Sequence, residues 1–428
     1  MGDGYANSIF CCIFEINVNG SYNMNETVRL IIHQFGPISD VDIEFNKYTV
    51  LMGEQGTGKS TIAKLFSMFT WLEKGLIQRT VRDKYITQSS QFQFYFCAYH
   101  RLDSYFKKNT IIKFYGLHYN FCYEEGKLQI EEIEHQENYN VAKVMYIPAE
   151  RIFLSTVNNP MNLKNIPESL KTFLCEFENA KVVLNTGYHL PFNNIEFKYD
   201  VQHKISWIKG ENYKIRLSDA SSGYQAIIPL TLVTKFLSDL VYNDTNKEEL
   251  GFNERKQLEK EVNKVMNDGV LTEEIKFAML RIISSRFKYS CFVNIVEEME
   301  ENLYPELQMN ILFDLLDHTN RIELNRLVLT THSPYIINYL TLAVKAFQLD
   351  RKILGDDKLK AKIDRLVPLH SAVNPTQLYV YELKGGQAIQ LSNYNGLPSD
   401  DNFLNIQLEL TNEMFVQLLD IEEEFDNN

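Results

Sequence analysis

Between positions 53 and 60 the chain reads Gly53-Glu54-Gln55-Gly56-Thr57-Gly58-Lys59-Ser60, a complete G-x-x-x-x-G-K-[ST] spacing, and no other feature constrains the fold as strongly. Three glycines in six positions let the backbone turn and approach a polyphosphate with no Cβ in the way. Successive N–H groups then face one anion, and a helix starting just behind them adds its positive dipole end. Lys59 is placed to reach the β- and γ-phosphates, and the Ser60 hydroxyl to take a coordination position on Mg²⁺. Chance yields such a match in a chain of this length at about one per cent or less. The flanks agree. Tyr48 to Met52 is a near-continuous apolar run, as in a strand covered on both faces, and Ile62, Leu65, Phe66 and Phe69 follow at helical spacing. The octet predicts a strand–loop–helix unit that binds ATP or GTP.

Composition bounds the remainder. A chain of 428 residues suits two or three domains, or one large α/β body with insertions. Hydrophobic residues form 45% and charged residues 23%, which supplies a large core and excludes wholesale disorder. The formal charge of −13 argues against a protein whose main task is coating nucleic acid, because neutralising phosphates needs surplus cations. One local basic groove stays open. Arg79, Arg82 and Lys84, with Arg101, Lys107 and Lys108, are the basic clusters, and a solvated helix face explains them at least as well. No apolar run approaches the ~20 residues needed to cross a bilayer, and Ile9 to Phe14 is too short for a signal core. Ala6 breaks the Gly2 myristoylation pattern. Cys11, Cys12, Cys97, Cys122, Cys175 and Cys291 show no C-x-x-C spacing and read as reduced core thiols. The expectation is a soluble, cytoplasmic protein without a membrane partner.

Along the chain, residues 8–52 read as a small β-layer in which Val41, Ile43 and Phe45 alternate with Asp42 and Glu44. Ile111 to Ile133 is hairpin-like, punctuated by Gly116 and Gly126. Ser169 to Val183 predicts a helix with Leu170, Phe173, Leu174 and Phe177 on one face, and Ile195 to Leu217 is strand-rich, broken at Gly210. Tyr224 to Leu240 predicts an apolar helix, and Asp244 to Lys264 a charged surface helix. Phe287 to Val296 and Leu327 to Thr330 are further strands. Gln377 to Leu383, Gln387 to Leu391, an amphipathic segment Leu404 to Leu419 and a solvated acidic tail from Asp420 to Asp426 complete the chain.

Three segments offer chemistry beyond the loop. The strand ending Cys291 to Glu298 presents two adjacent acids, with Glu297 placed to hold Mg²⁺ and Glu298 to polarise an attacking water. The bland reading is an acidic surface turn, since Glu300 and Glu301 follow; beside a phosphate loop it loses ground. Arg326 to Pro334 is another apolar strand, ending in Thr330, Thr331, His332 and Ser333, and a neutral His332 can hydrogen-bond a γ-phosphate or water. Leu217 to Gln225 precedes a helix and offers Ser221, Ser222 and Gly223 at its start. Chemistry alone leaves this last segment open between an anion site and an ordinary capped helix.

In this order the pieces resemble the ABC-type ATPase heads of the SMC, RecF and overcoming-lysogenization-defect group, over about residues 28–340. Gly53 to Ser60 resembles that group's Walker A loop, Ser221 to Gln225 its signature, Glu297 to Pro305 its Walker B and D-loop, and Thr330 to Pro334 its switch-histidine motif. Gln34 to Ile38 resembles its opening strand and turn, and Tyr146 to Arg151 a segment after its first lobe. The resemblance implies an α/β P-loop NTPase of ABC-ATPase type. Its expected parts are a β-rich N-terminal lobe with Walker A over 1–150, a helical and strand-rich insertion ending at the signature over 151–240, and a helical insertion over 241–286. Walker B to the switch histidine occupies 287–340, and a small C-terminal α+β extension with its acidic tail 341–428. ATP and Mg²⁺ are the implied cofactors. Gly53, Gly56, Gly58, Lys59, Ser60, Thr61, Ser222, Gly223 and Gln225 would hold the nucleotide, Ser60 and Glu297 the metal, and Glu298 and His332 would be catalytic. A homo-oligomer of head-to-tail dimers is also implied, with Ser222 and Gly223 of one copy touching the γ-phosphate bound by the other. Glu297 replaces the commoner Asp, and Met299 stands where Pro is usual, which makes the turn after Glu298 less rigid. Neither removes a reacting group, and slow hydrolysis with tight ATP binding fits both.

A transporter ATPase would normally show Asp-Glu-Pro where this chain has Glu297-Glu298-Met299, which favours the soluble group. No Toprim-like carboxylate set follows His332, so the chain is expected to lack a nuclease of its own. A compact head with short insertions and an acidic tail resembles the ATPase subunits of two-gene antiphage systems such as Septu, PARIS and retron-associated systems. That resemblance implies control of a separate effector protein, a nuclease. The alternatives are a DNA-repair or chromosome-associated ATPase, which would contact DNA, and a non-hydrolysing ATP-dependent scaffold.

Overall fold

The computed structural model describes residues 27–88, 91–133, 141–157, 160–192, 194–243, 260–266, 289–353 and 355–426, with isolated positions between 271 and 283. Residues 8–26 of the expected β-layer, with Cys11 and Cys12, lie outside these. So do Phe287 and most of the helix expected over 244–264.

The period-two pattern after residue 38 forms the hairpin it predicts. β1 (Val28–Phe35) and β2 (Ile38–Phe45) pair antiparallel, burying Ile38, Val41, Ile43 and Phe45 while Asp42 and Glu44 stay exposed. β3 (Tyr48–Gly53) is buried at every position and runs into the phosphate loop, from which α1 (Lys59–Ile77) departs. β4 (Phe106–Tyr115), β5 (Tyr119–Glu124) and β6 (Lys127–Glu132) extend the antiparallel lobe, and β7 (Val141–Ile147) returns to the main body. α2 (Glu168–Val183) precedes a small antiparallel sheet of β8 (Tyr188–His189), β9 (Glu196–Asp200), β10 (Ile205–Lys209) and β11 (Lys214–Arg216). α3 (Ser222–Tyr242), β12 (Tyr289–Glu297), α4 (Pro305–Asn320), β13 (Arg326–Thr331), α5 (Pro334–Lys352) and α6 (Asp357–Leu366) follow. β14 (Leu378–Lys384), β15 (Gln387–Gln390) and α7 (Phe403–Asp426) end the described chain.

Among the described residues, eleven strands form one sheet in the order β6-β5-β4-β1-β2-β15-β14-β3-β13-β12-β7. From β14 to β7 every pairing is parallel, and from β6 to β2 every pairing is antiparallel. A phosphate loop opening a helix from a buried parallel strand makes this the α/β P-loop architecture that the octet predicts. One core packs α1 against the antiparallel lobe, with Phe66 stacked on Phe45 at 4.0 Å and Phe69 on Phe114 at 5.0 Å. The other gathers α2, α3, α4 and α5 on the parallel strands. Cys97 and Cys291 are buried free thiols, and Cys122 and Cys175 are half-buried.

At the end of the chain the structure adds what the sequence left open. The boundary at residue 340 falls inside α5, and the segment beyond it is no appendage: β14 pairs with β3 from Leu378 opposite Tyr48 to Leu383 opposite Gly53. Leu378, Val380 and Leu383 read as an ordinary short strand, and nothing local says that its neighbour lies over three hundred residues earlier. The acidic end is exposed as expected, but it is helical, continuing α7 to Asp426.

A buried carboxyl joins α1 to the antiparallel lobe. Glu73 Oε1 accepts the N–H of His118 at 2.6 Å and of Tyr119 at 3.1 Å, at the turn between β4 and β5. Burial pushes this carboxyl up to about 6, against the pull of those N–H groups. A carboxyl raised above its unfolded value contributes stability that is full below about pH 4.5 and lost as pH rises through about 6, about 2 kcal/mol in all. Glu73→Gln keeps the acceptor without the charge. Urea unfolding of both proteins from acid to neutral pH is expected to show a difference in slope of that size across this window.

Candidate functional site

Three neighbouring parallel strands, β3, β13 and β12, end side by side. Thr331 of β13 pairs with Met52 of β3, and Glu297 of β12 with Thr330 of β13. Ligands of open parallel sheets bind beyond such carboxyl ends, and Lys59, Glu297, Glu298 and His332 all issue from them.

The loop's glycines are there for stated reasons. Gly53, Gly56 and Gly58 hold φ of 133°, 76° and 106°, in or near the left-handed region that a side chain disfavours. A Cβ at Gly53 would also stand 2.3 Å from the Leu383 carbonyl oxygen, so the passage of β14 itself demands a glycine. Gly58 caps α1 with no side-chain acceptor, which leaves the first N–H groups of the helix for an anion. Lys59 is 4% exposed, and its Nζ donates to the carbonyls of Gly53 at 2.9 Å and Glu54 at 2.6 Å. Burial lowers its ammonium to about 8, with Glu298, Glu300 and Glu54 pulling the other way. Ser60 is half-buried and Thr61 buried in the same turn.

Glu297 is 4% exposed, and its Oε1 has no hydrogen-bond partner. A buried carboxylate oxygen left unpaired is costly, and Glu300 Oε2 and Glu301 Oε2 are left so as well, with the Tyr146 hydroxyl close to Glu297. Glu298 follows at φ 42°, a strained setting for a non-glycine residue, with its N–H donating to the Thr330 carbonyl at 3.0 Å. Its Oε1 lies 3.5 Å from His332 Nε2. His332 holds this carboxyl below the usual range against the effect of burial, and the charges of Lys59 and Arg151 act in the same sense. Glu298 is thus ionised at neutral pH, as a group that orients water must be.

Two residues that the sequence did not single out brace this end. Glu300 Oε1 accepts the His332 N–H at 2.6 Å and the Thr331 hydroxyl at 2.9 Å, so what reads as one more surface acid is the support of the histidine loop. Arg151 is 1% exposed. Its guanidinium donates to the carbonyls of Glu297 at 2.8 Å, Glu298 at 2.7 Å and Ala226 at 3.1 Å, and lies 3.8 Å from Glu301. Sequence placed Arg151 in a recognisable segment without a role, because a buried arginine and a surface one look alike in one dimension. Met299, expected to loosen the turn, is fully buried and anchors it in the core, where a proline would have fixed the backbone instead.

Ser221 and Ser222 are exposed at the start of α3, and Gly223 lies against the turn after β12, where a Cβ would meet the Asn302 carbonyl oxygen at 3.0 Å. Gln225, expected among the nucleotide-binding residues, is buried, and its side-chain amide donates to the Ser218 carbonyl at 2.8 Å, closing the turn before the helix. Pro229 has no N–H for the Gln225 carbonyl, and the Ser155 hydroxyl takes that acceptor at 2.8 Å.

Residues 293–338, which carry Glu297, Glu298 and His332, match the family model described as "AAA domain, putative AbiEii toxin, Type IV TA system". No curated protein matches the chain. Among solved structures, it is similar to an SMC head bound to the C-terminal winged-helix domain of ScpA, at 10% identity and a TM-score of 0.37, covering 86% of this chain and 98% of that one. The SMC head domain from Thermotoga maritima gives 9% and 0.33 over 86% and 99%. The recombination mediator RecF with ATPγS gives 10% and 0.31 over 86% and 99%. At such superposition scores these likenesses carry no functional weight.

Arg151→Ala would leave four carbonyls, those of Pro148, Ala226, Glu297 and Glu298, and a carboxylate facing an emptied polar site. It is expected to lower the unfolding free energy by about 3–5 kcal/mol, read by urea denaturation, as for a broken buried charge pair.

Proposed function

We propose that the chain is an ATPase that holds Mg-ATP at its phosphate loop between two head-to-tail copies and uses the nucleotide's state to make and break that contact. The observation that carries the reading is the convergence of Lys59, the unpaired Glu297 oxygen and the ionised Glu298 facing His332 on adjacent strand ends. Among the described residues the Lys59 ammonium donates only to the loop's own carbonyls, and a triphosphate is a stronger acceptor than either. Ser60 and Glu297 would hold Mg²⁺, which supplies charge neutralisation on the phosphates. Glu298 orients and polarises the attacking water, and His332 holds that carboxylate in place. The exposed Ser222, with Gly223, would complete the pocket of the second copy, so that hydrolysis removes the group joining the two surfaces.

The family match supports the ATPase part, because it spans the segment from β12 to the start of α5. Its description names a toxin and a toxin–antitoxin system, and the sequence resembles the ATPase subunits of two-gene antiphage systems. On that footing the contact regulates a separate effector, a nuclease, in the cytoplasm. No helix among the described residues is long and apolar enough to cross a membrane.

Two variants test the scheme. Lys59→Ala is expected to weaken ATP binding about a hundredfold by calorimetry. Glu298→Gln is expected to keep ATP binding, to slow phosphate release about a hundredfold or more, and to accumulate ATP-bound dimers in mass photometry. Unchanged turnover in Glu298→Gln would refute the catalytic assignment. A chain that stays monomeric with Mg-ATP in that variant would refute the shared pocket.

A further inference from the structure

Residues 71–108 carry seven Lys and Arg against three acids, one of which, Glu73, is buried; in a chain of net charge −13 the remainder stands at −17. The same stretch presents exposed rings. Trp71 is 44%, Tyr85 40%, Phe94 64% and Tyr95 60% exposed. They form a cluster: Tyr85 meets Tyr95 edge-on at 6.3 Å, and Trp71, Tyr85 and Tyr95 each contact the buried Phe96 at 6.3, 6.2 and 5.1 Å. A π-helical turn, Phe92–Cys97, produces this display, because burying Phe92, Phe96 and Cys97 on one face turns Phe94 and Tyr95 outward. Such turns concentrate at functional sites, and exposed aromatic clusters mark contact surfaces.

Cations share the stretch of chain that carries the rings. Arg79 and Arg82, on the segment leading to the short helix that carries Tyr85, line a groove of about 850 Å³ together with Lys260 and Lys264. Asp83, Glu132 and Glu261 share that lining, so the electrostatic attraction is modest and most of the affinity must come from the rings.

We propose that this surface binds single-stranded nucleic acid, with bases stacked on Trp71, Tyr85 and Tyr95 and the backbone running past Arg79, Arg82, Lys260 and Lys264. Flat rings flanked by cations match unpaired bases on a phosphate chain, since every base has a π-face and every link a negative charge. A duplex fits less well because its bases are already stacked on one another. A protein helix would call for an exposed aliphatic trough; in the groove Leu76 and Ile77 are buried and Val81 and Ile130 half-buried, whereas the rings are exposed. The site is separate from the strand ends that carry the ATPase residues and stands or falls without them.

The test is fluorescence anisotropy of a labelled oligo(dT) of about 20 nucleotides, titrated with the full chain. Saturable binding is expected, with log K falling against log salt at a slope of about −2 to −3 for four cations. Tyr85→Ala with Tyr95→Ala is expected to weaken binding about tenfold or more, whereas Phe at both positions keeps the π-faces and should bind nearly as the wild type does. Arg82→Glu is expected to weaken binding and flatten the salt slope. Absence of saturable binding, equal affinity for a blunt duplex, or an alanine pair that binds as the wild type does would each overturn the proposal.

Discussion

A guanidinium removed from water has to be answered by acceptors, and Arg151 finds its answers on two different elements. The carbonyls of Glu297 and Glu298 belong to the end of β12, and the carbonyl of Ala226 to the first turn of α3. One buried side chain therefore ties the strand end that carries the acids to the helix that begins with Ser222. Ser155 adds a second tie through the Gln225 carbonyl, which Pro229 leaves without a helical donor. Gly223 adds a third, closing on the Asn302 carbonyl too tightly for a side chain. A displacement at either end is passed to the other because the alternative is an uncompensated buried charge.

The phosphate loop is held in a comparable way, between parts of the chain far apart in sequence. On one side Gly53 runs under the Leu383 carbonyl of β14. On the other, a Cβ at Gly58 would stand 2.7 Å from Ile38, at the turn between β1 and β2. β15 bridges the two sides by pairing with β14 and with β2. The glycines are thus fixed twice, by the curvature an anion cradle needs and by two close packings that leave no room for a methyl group.

Most of the site was legible because its parts are local. The octet, the acid pair after an apolar strand and the histidine after another are each contained in fewer than ten residues, and burial of β3, β12 and β13 follows from their apolar runs. What escaped depends on distance. β14 has the pattern of any short strand, and its neighbour is chosen by packing. Glu300 and Glu301 extend an acidic run that reads as solvated, yet Glu300 is pulled inward by the His332 N–H and the Thr331 hydroxyl. Gln225 sits in the right motif, but its amide is spent on the Ser218 carbonyl. In each case the residue type was visible and the partner was not.

The acids around the loop are separated by environment into two kinds. Burial raises the carboxyls of Glu300 and Glu301, which are held by His332 and Thr331 and beside Arg151 respectively. Glu298, more exposed and facing His332, is lowered. Neighbouring groups pushed in opposite directions have different tasks. Glu300 and Glu301 lie where they shape the loop, and Glu298 retains its charge. Glu297 is buried beside the Tyr146 hydroxyl, and its Oε1, like Glu300 Oε2 and Glu301 Oε2, makes no hydrogen bond of ordinary geometry. Its requirement for a cation and the loop's requirement for an anion are complementary, and a metal–triphosphate pair meets both at once where either ion alone would leave the other demand standing.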